Sequence, residues 1–210
     1  MNTENLIRAL AADASRPLVG LRVLLGAALG AGTALSLLLF RLLLEPRADL
    51  AEAIRGHAFA TKLGVVLVLA VTAAGLLAPV ARPFPVRVMP RMSLAPLLLA
   101  FAVLIEIIAP PASSWTSRVF GKDVLHCLAA IPLLSAPPAL CLFAALRRAA
   151  PANGSMAGAI AGLAAAGIGA TLYALACPRD SSLFVAIWYS LAIAAVAVAG
   201  RFAGRRWLRW

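Results

Sequence analysis

Long apolar stretches alternate with short polar segments along this chain. A helix needs about 20 mostly apolar residues to cross the hydrocarbon core of a bilayer, and six stretches approach or exceed that length. They cover residues 20–43, 62–81, 94–111, 124–146, 155–176 and 183–203. The pattern therefore predicts an all-α, polytopic membrane protein built as a bundle of six transmembrane helices.

Proline-containing segments separate the apolar stretches. Proline lacks the N–H that a helix interior needs, and it occurs in all five separators, at residues 45–49, 82–85, 110–114, 151–154 and 177–182. We therefore divide the chain into an N-terminal segment (1–17), a transmembrane domain (18–204) and a short basic tail (205–210).

Composition agrees with this class and changes how the charge is interpreted. Hydrophobic residues make up 63% of the chain and charged residues 13%, against roughly 25% charged residues in soluble domains. The net charge of +11 would suggest nucleic acid in a soluble protein. Because the arginines lie between apolar stretches, we interpret them as orientation signals and contacts to the lipid bilayer, with no direct contact to nucleic acid.

The distribution of these cations predicts the orientation of the chain. With the N-terminus inside, 12 of the 19 Lys and Arg residues fall on the inner side and 7 on the outer side. Cytoplasmic loops carry such an excess of positive charge. Both termini are therefore predicted to be cytoplasmic, with the closing RRWLRW sequence (205–210) at the inner headgroup level.

Glycines at helical spacing predict where helices pack closely. They recur every fourth residue at Gly26 and Gly30 in the first stretch, and at Gly154, Gly158 and Gly162 in the fifth. Small residues at this spacing let two helix backbones approach each other. We expect tight helix contacts at both places.

Three prolines, Pro132, Pro137 and Pro138, interrupt the fourth stretch. Each removes a backbone N–H and frees a carbonyl, which a spanning helix tolerates when a neighbour supplies another donor. We interpret them as a structural kink compensated in this way; a moving element is the alternative.

Cys127 and Cys177 are the main candidates for reactive chemistry. Cys127 opens the fourth predicted helix and Cys177 ends the fifth, so both are predicted to lie near the outer face. Cys141 lies 14 residues beyond Cys127, about 21 Å deeper, and cannot pair with it because a disulfide needs Cα atoms within about 7 Å. Three interpretations of the pair stay open: a structural disulfide, a redox-switchable thiol pair and a soft-metal site.

His126 is the candidate third ligand of such a metal site. Two thiolates and an imidazole suit zinc, cadmium or a similarly soft ion. The sequence predicts no cofactor, and such an ion would act as a signal. Adjacent residues of a helix point about 100° apart, so His126 and Cys127 need not face the same ion.

Glu106 is an acidic residue inside a predicted span. Ionisable groups in spans are costly and commonly functional, so a small-solute or ion transporter using Glu106 is the alternative function. No enzyme is predicted, because the sequence has no Ser-His-Asp set, phosphate loop, HExxH or haem motif. A quinone-coupled thiol oxidoreductase is disfavoured by the lack of a CxxC pair.

The N-terminal segment is a candidate partner-binding helix. Leu6, Ile7 and Leu10 form an apolar stripe that is followed by Asp13. The polar face is not rich in basic residues, as helices lying on a membrane prefer. Docking of this helix into a groove of a cytoplasmic partner is therefore the sharper interpretation.

As a set, these residues resemble a known family. The resemblance rests on the segment LIRALAAD (6–13), on HCLAAIPL (126–133), on LRRAAP (146–151), on CPRDS (177–181) and on FVAIWY (184–189). This pattern is similar to that of the NrsF family, six-helix anti-sigma factors of the bacterial inner membrane that regulate an extracytoplasmic-function sigma factor.

The resemblance implies a sensor and sequestering protein in the inner (cell) membrane. Its cytoplasmic side would hold the sigma factor inactive, with residues 6–13 in the binding region. Cys127 and Cys177 would be periplasmic thiols that sense oxidative or heavy-metal stress. Ala176 stands where family members often carry a histidine, which favours thiol chemistry over a histidine-rich metal site.

Overall fold

The computed structural model of the protein describes residues 3–4, 20–82, 93–108, 123–149 and 151–208. From residue 20 onward, these residues form seven helices and no strand. They are α1 (Leu21–Leu43), α2 (Leu50–Ala53), α3 (His57–Val80), α4 (Leu94–Ile108), α5 (Asp123–Leu146), α6 (Gly154–Ala174) and α7 (Ser182–Trp207). The predicted all-α class is confirmed for this part of the chain.

Five helices, α1, α3, α5, α6 and α7, are long and apolar enough to cross a membrane. The predicted third span, 94–111, corresponds to α4, which is apolar but has 15 described residues. The largest difference at a helix start is in α3, which begins at His57 rather than at residue 62. Lys62 had marked the polar edge of that stretch, but its charge is paired inside the protein and the helix extends beyond it.

α6 is the central helix of the bundle. It packs against α3, α5 and α7, while α1 packs on α5. Fourteen of its 21 residues are buried, and 11 of those are alanine or glycine. The helix begins after Asn153, whose side chain accepts a hydrogen bond from the N–H of Met156 at 3.0 Å, as N-cap residues do. Small side chains thus allow three helices to surround α6 at close range.

Gly154, Gly158 and Gly162 of α6 face α7, and the predicted close packing there is confirmed. A Cβ atom on Gly154 would lie 2.9 Å from the carbonyl oxygen of Gly204. A Cβ atom on Gly158 would collide with the carbonyl oxygen of Gly200. The two helices therefore touch through backbone atoms.

The matching prediction for Gly26 and Gly30 is wrong within the described residues. A Cβ atom at either position would meet nothing within 4 Å, and both glycines are exposed. The side of α1 that meets α5 carries Gly32 and Ser36 instead, both of which are buried. Gly26 and Gly30 do lie on one face of α1, but this face does not meet α5.

α1 packs on the proline-containing part of α5, where it replaces a missing hydrogen-bond donor. Pro138 has no N–H to offer the carbonyl of Leu134, four residues earlier in the helix. The buried Ser36 hydroxyl donates to that carbonyl oxygen at 2.6 Å, and Gly32 lets the α1 backbone reach Pro138. Compensation by a neighbouring helix is therefore confirmed at Pro138.

Two buried clusters occupy the two ends of the bundle. One includes Cys127, Cys177 and Phe184, and we call this end, with the connections 44–56 and 175–181, the thiol end. The other cluster includes Ala81 and Leu208, and we call that end the opposite end.

A buried thiol pair held under a polar cluster

Cys127 and Cys177 come together at the thiol end. Cys127 is the fifth residue of α5 and Cys177 follows the last residue of α6 by three positions. They are 0% and 1% exposed and belong to the same buried cluster. Cys141 lies outside that cluster and is partly exposed, and all three cysteines are free thiols.

Lys62 holds the turn that carries Cys177. Its ammonium group donates to the carbonyl oxygens of Cys177 at 2.9 Å and of Arg179 at 3.1 Å. It also forms an ion pair with Asp180, at 2.7 Å to Oδ1, although its side chain is only 1% exposed. A buried ammonium needs such partners, because removing it from water is costly. The contact therefore fixes the backbone of residues 177–180 against α3.

Arg47 binds the same turn from the connection between α1 and α2. Its guanidinium donates to Asp180 Oδ2 at 2.8 Å, and its backbone N–H donates to the carbonyl of Leu175 at 3.1 Å. The ring of Phe59 lies beneath both cations, with its centroid 5.7 Å from Arg47 Cζ and 5.4 Å from Lys62 Nζ. Cations over an aromatic face gain further attraction.

Asp49 completes the charge balance of this cluster. It accepts two hydrogen bonds from the Arg47 guanidinium, both at 2.7 Å. The hydrogen bond from Arg47 lowers the pKa of the Asp49 carboxyl from 3.8 to about 2, and the same contact raises the pKa of Arg47. Two carboxylates and two cations therefore share one site, which we call the polar cluster: Arg47, Asp49, Lys62 and Asp180.

Glu106 reaches the same turn from α4. It accepts a hydrogen bond from the Ser181 hydroxyl at 2.6 Å and another from the N–H of Leu183 at 3.2 Å. The first N–H groups of a helix have no partner within that helix, so Glu106 satisfies one of them at the start of α7. The carboxylate that the sequence singled out thus ties α4 to the segment between Cys177 and α7.

The other predicted site residues are not brought to the thiols by the described structure. His126 is exposed, whereas its neighbour Cys127 is fully buried, as the rotation between adjacent helical residues suggests. Within the described ranges, no three His, Cys, Asp or Glu residues form a group that could hold a metal ion. Leu6, Ile7, Leu10 and Asp13 lie outside those ranges.

Tyr189 is a member of the thiol environment that sequence reasoning missed. It is 0% exposed and belongs to the same buried cluster as Cys127 and Cys177. It is the last residue of a π-helical turn, Val185–Tyr189, within α7. The available signal was a tyrosine inside an apolar span, since a buried tyrosine hydroxyl usually needs a partner.

The polar cluster was also missed as a unit. Lys62 is one of the seven cations that the charge distribution assigns to the outer side, but the sequence does not show that it is buried as the sixth residue of the helix that starts at His57. Asp180 follows Cys177 by three positions, but the sequence does not reveal which cation approaches it. The two ion pairs to Asp180 join residues more than 100 positions apart, a separation at which local sequence patterns carry no information on pairing.

These features define a polytopic helical membrane protein with a buried pair of free thiols at one end. Its family follows from comparison with known proteins. Residues 10–210 match the family described as NrsF, negative regulator of sigma F, and the chain belongs to this family.

Two relatives align with the chain over its whole length and theirs. The chain is 35% identical over 216 residues to "Anti-sigma-F factor NrsF" of Caulobacter vibrioides (strain NA1000 / CB15N). It is 31% identical over 215 residues to "Probable anti-sigma-F factor NrsF" of Azospira oryzae (strain ATCC BAA-33 / DSM 13638 / PS). No solved structure matches the chain. The resemblance noted from the sequence is therefore confirmed at the level of the family.

Proposed function

We propose that this protein is an anti-sigma factor of the bacterial inner membrane. It holds an extracytoplasmic-function sigma factor inactive and releases it when Cys127 and Cys177 respond to oxidative or heavy-metal stress. The observation that carries the proposal is the full-length similarity to two proteins named as anti-sigma-F factors. The burial of two free thiols in one cluster supports the sensing half, and no catalytic step is part of the proposal.

The proposed topology has six spans, with both termini in the cytoplasm and the thiol end in the periplasm. α3 ends at the opposite end, whereas α5 begins at the thiol end. α4 lies in that interval, and Glu106, near its end, contacts Ser181 at the thiol end. These positions support α4 as part of a span between α3 and α5, which brings the total to six. The excess of Lys and Arg at the opposite end supports the orientation.

The sigma factor is proposed to bind at the opposite end, through the N-terminal segment. Leu6, Ile7 and Leu10 would enter an apolar groove of the partner, while Asp13 would contact its polar rim, as amphipathic helices do in helix-in-groove recognition. Arg147 and Arg148, which follow α5, are exposed at the same end. They offer a second contact to the partner or to anionic lipid.

The thiol event is proposed to change how α5 and α6 pack. Oxidation would join the two sulfur atoms and transfer two electrons to the oxidant with loss of two protons, while a soft divalent cation would replace the two thiol protons with two sulfur–metal bonds. Either product constrains the start of α5 relative to the end of α6. Because both helices continue to the opposite end, the two thiol states can favour different arrangements of the sigma-binding surface.

Co-purification with the cognate sigma factor tests the sequestering half. We expect the intact chain to retain the sigma factor and a variant lacking residues 1–15 to lose most of it, with both variants present in the membrane at equal levels. Retention that is unaffected by the deletion would contradict the proposed binding segment. Failure of the intact chain to bind any sigma factor would contradict the function itself.

Release of the bound sigma factor tests the sensing half. We expect an added thiol oxidant or Cd²⁺ to release it from the wild-type complex and from Cys141→Ser, but not from Cys127→Ser or Cys177→Ser. Release that persists in both of the latter variants would exclude these thiols as the sensor. Solute uptake by proteoliposomes, abolished by Glu106→Gln, would instead favour the alternative transporter.

A further inference from the structure

The hydroxyl of Tyr189 is buried without a hydrogen-bond partner. Among the described residues, it is the only buried side-chain nitrogen or oxygen atom for which the protein supplies no donor or acceptor of suitable geometry. Buried polar atoms are almost always paired, and tyrosine hydroxyls in apolar surroundings usually find a partner. This atom therefore requires an explanation that the fold alone does not give.

The surroundings of this hydroxyl are aromatic rings and sulfur. The ring of Tyr189 packs against Tyr173, with centroids 5.7 Å apart, and against Phe184 at 6.3 Å. Tyr189 belongs to the same buried cluster as Cys127 and Cys177, and both thiols act electrostatically on its hydroxyl, Cys177 more strongly. A neutral thiol is a weak hydrogen-bond acceptor, whereas an anionic acceptor forms shorter and stronger hydrogen bonds. The hydroxyl is thus next to atoms that would become good acceptors on losing their protons.

The backbone at Tyr189 is also irregular. The residue ends the five-residue π turn, Val185–Tyr189, near the start of α7. Such turns are rare, and they occur frequently at functional sites. The added residue changes the helical register, and it therefore sets the direction in which the Tyr189 side chain projects from α7.

We propose that Tyr189 is the third group of the thiol site and that its hydroxyl donates a hydrogen bond to a cation-bound sulfur. The inference deepens the proposed sensing function and rests on it. When a thiophilic divalent cation binds, the S–H bonds of Cys127 and Cys177 break, both protons leave to water, and two sulfur–metal bonds form. The O–H bond of Tyr189 stays intact.

This arrangement gives the two states of the site different contacts in α7. In the dithiol state the hydroxyl has only a neutral thiol beside it, which is a weak acceptor, whereas in the cation-bound state it has an anionic sulfur, so the stronger hydrogen bond favours the latter state. A ligand shifts a conformational equilibrium only through such a difference between states. Because α7 runs from Ser182 to Trp207, a change at Tyr189 acts on a helix that reaches the opposite end.

A cadmium titration of the purified full-length protein in detergent tests this role. Binding is followed by the sulfur-to-cadmium charge-transfer absorption, and thermal unfolding is measured without the cation. We expect Tyr189→Phe to weaken Cd²⁺ binding about 10- to 100-fold, as loss of an outer-shell hydrogen bond typically does. The cation-free variant should be no less stable than the wild type, because the substitution removes an unsatisfied hydroxyl.

Tyr173→Phe is the matched control, since Tyr173 is the only other tyrosine in the chain and its ring contacts Tyr189. It should bind Cd²⁺ with wild-type affinity. Wild-type affinity in Tyr189→Phe, an equal loss in both variants, or no sulfur–cadmium absorption in the wild type would each overturn the inference. The first of these results, with cysteine-dependent release intact, would leave the proposed function standing. Sigma-factor release that ignores both cysteines would remove the function and the inference together.

Discussion

At the scale of single residues, Lys62 is a buried charge that also positions the turn carrying Cys177. Removing an ammonium from water costs several kcal/mol, which a close counterion and further hydrogen bonds must offset. Asp180 supplies the counterion, and the carbonyls of Cys177 and Arg179 supply two acceptors. Because one acceptor belongs to Cys177 itself, the contacts that neutralise the buried charge also hold the backbone of this cysteine in place.

Replacement of Lys62 by methionine should therefore destabilise the protein and release this turn. The change leaves the carbonyls of Cys177 and Arg179 without the Lys62 donor and leaves Asp180 with Arg47 alone, and breaking a buried ion pair costs about 3–5 kcal/mol. We expect a lower thermal unfolding midpoint and faster labelling of Cys177 by a small maleimide, measured in detergent on a chain whose other two cysteines are serine. Arg55→Met, at an exposed cation, is the control, and equal labelling rates in the two variants would contradict the positioning role.

At the scale of elements, the contact between α6 and α7 depends on the absence of side chains. Gly158 and Gly204 let the backbones meet, and the carbonyl of Gly200 occupies the place of a Cβ atom on Gly158. Backbone atoms cannot rotate away as a flexible side chain does. Even one added methyl group must therefore separate the two helices.

Gly158→Ala should lower stability by about 1–3 kcal/mol, the usual range for overpacking a tight core. The measurement is reversible denaturation in mixed micelles, with Gly26→Ala as the control, because a Cβ atom there meets nothing within 4 Å. Equal effects of the two substitutions would mean that α6 and α7 do not touch in this way.

The contact between α1 and α5 can be tested at the Leu134 carbonyl, by replacing the Ser36 hydroxyl as its donor with a backbone N–H of α5. Ser36→Ala leaves the buried oxygen of Leu134 unpaired, at about 1–3 kcal/mol. Pro138→Ala restores a backbone N–H four residues after Leu134, which can bond to that oxygen in a regular helix. We therefore expect the serine substitution to cost much less in the alanine background than in the wild type.

A double-mutant cycle on thermal or denaturant unfolding measures this coupling. Thr33→Ala serves as the control, since its hydroxyl donates to the Leu29 carbonyl within α1 and should not couple to Pro138. Additive effects of Ser36→Ala and Pro138→Ala would contradict the assignment of Ser36 as the replacement donor.

The whole molecule shows which parts of this fold the sequence could predict. Apolar length gave the five long helices, because the hydrocarbon core imposes the same requirement on every span. The helical spacing of glycines correctly predicted the close contact of α6 but wrongly predicted one at Gly26 and Gly30 of α1. Periodicity identifies a face of a helix and does not show which neighbour that face meets. The approach of Cys127 to Cys177 could be expected from helix order. The contacts of Lys62 with residues 177–180 could not be predicted, because they join residues far apart in the sequence. The orientation of Tyr189 could not be predicted either, because it depends on a π turn.

The arrangement of the helix ends makes a specific prediction for the topology of the whole chain. Arg55 lies at the thiol end, while Arg82 and Arg147 lie at the opposite end, and all three are exposed. We expect Arg55→Cys, in a chain without its native cysteines, to react with a membrane-impermeant maleimide in intact spheroplasts. Arg82→Cys and Arg147→Cys should react only after permeabilisation.

The two inner positions together decide the number of spans. If Arg82 and Arg147 are both cytoplasmic while Arg55 is periplasmic, α3 and α5 run in the same direction. α4 is then the helix that crosses the membrane between them. If α4 did not cross, α5 would begin in the cytoplasm, and Arg147→Cys would be labelled from outside. That result would also place Cys127 and Cys177 in the reducing cytoplasm, where a periplasmic stress could not reach them.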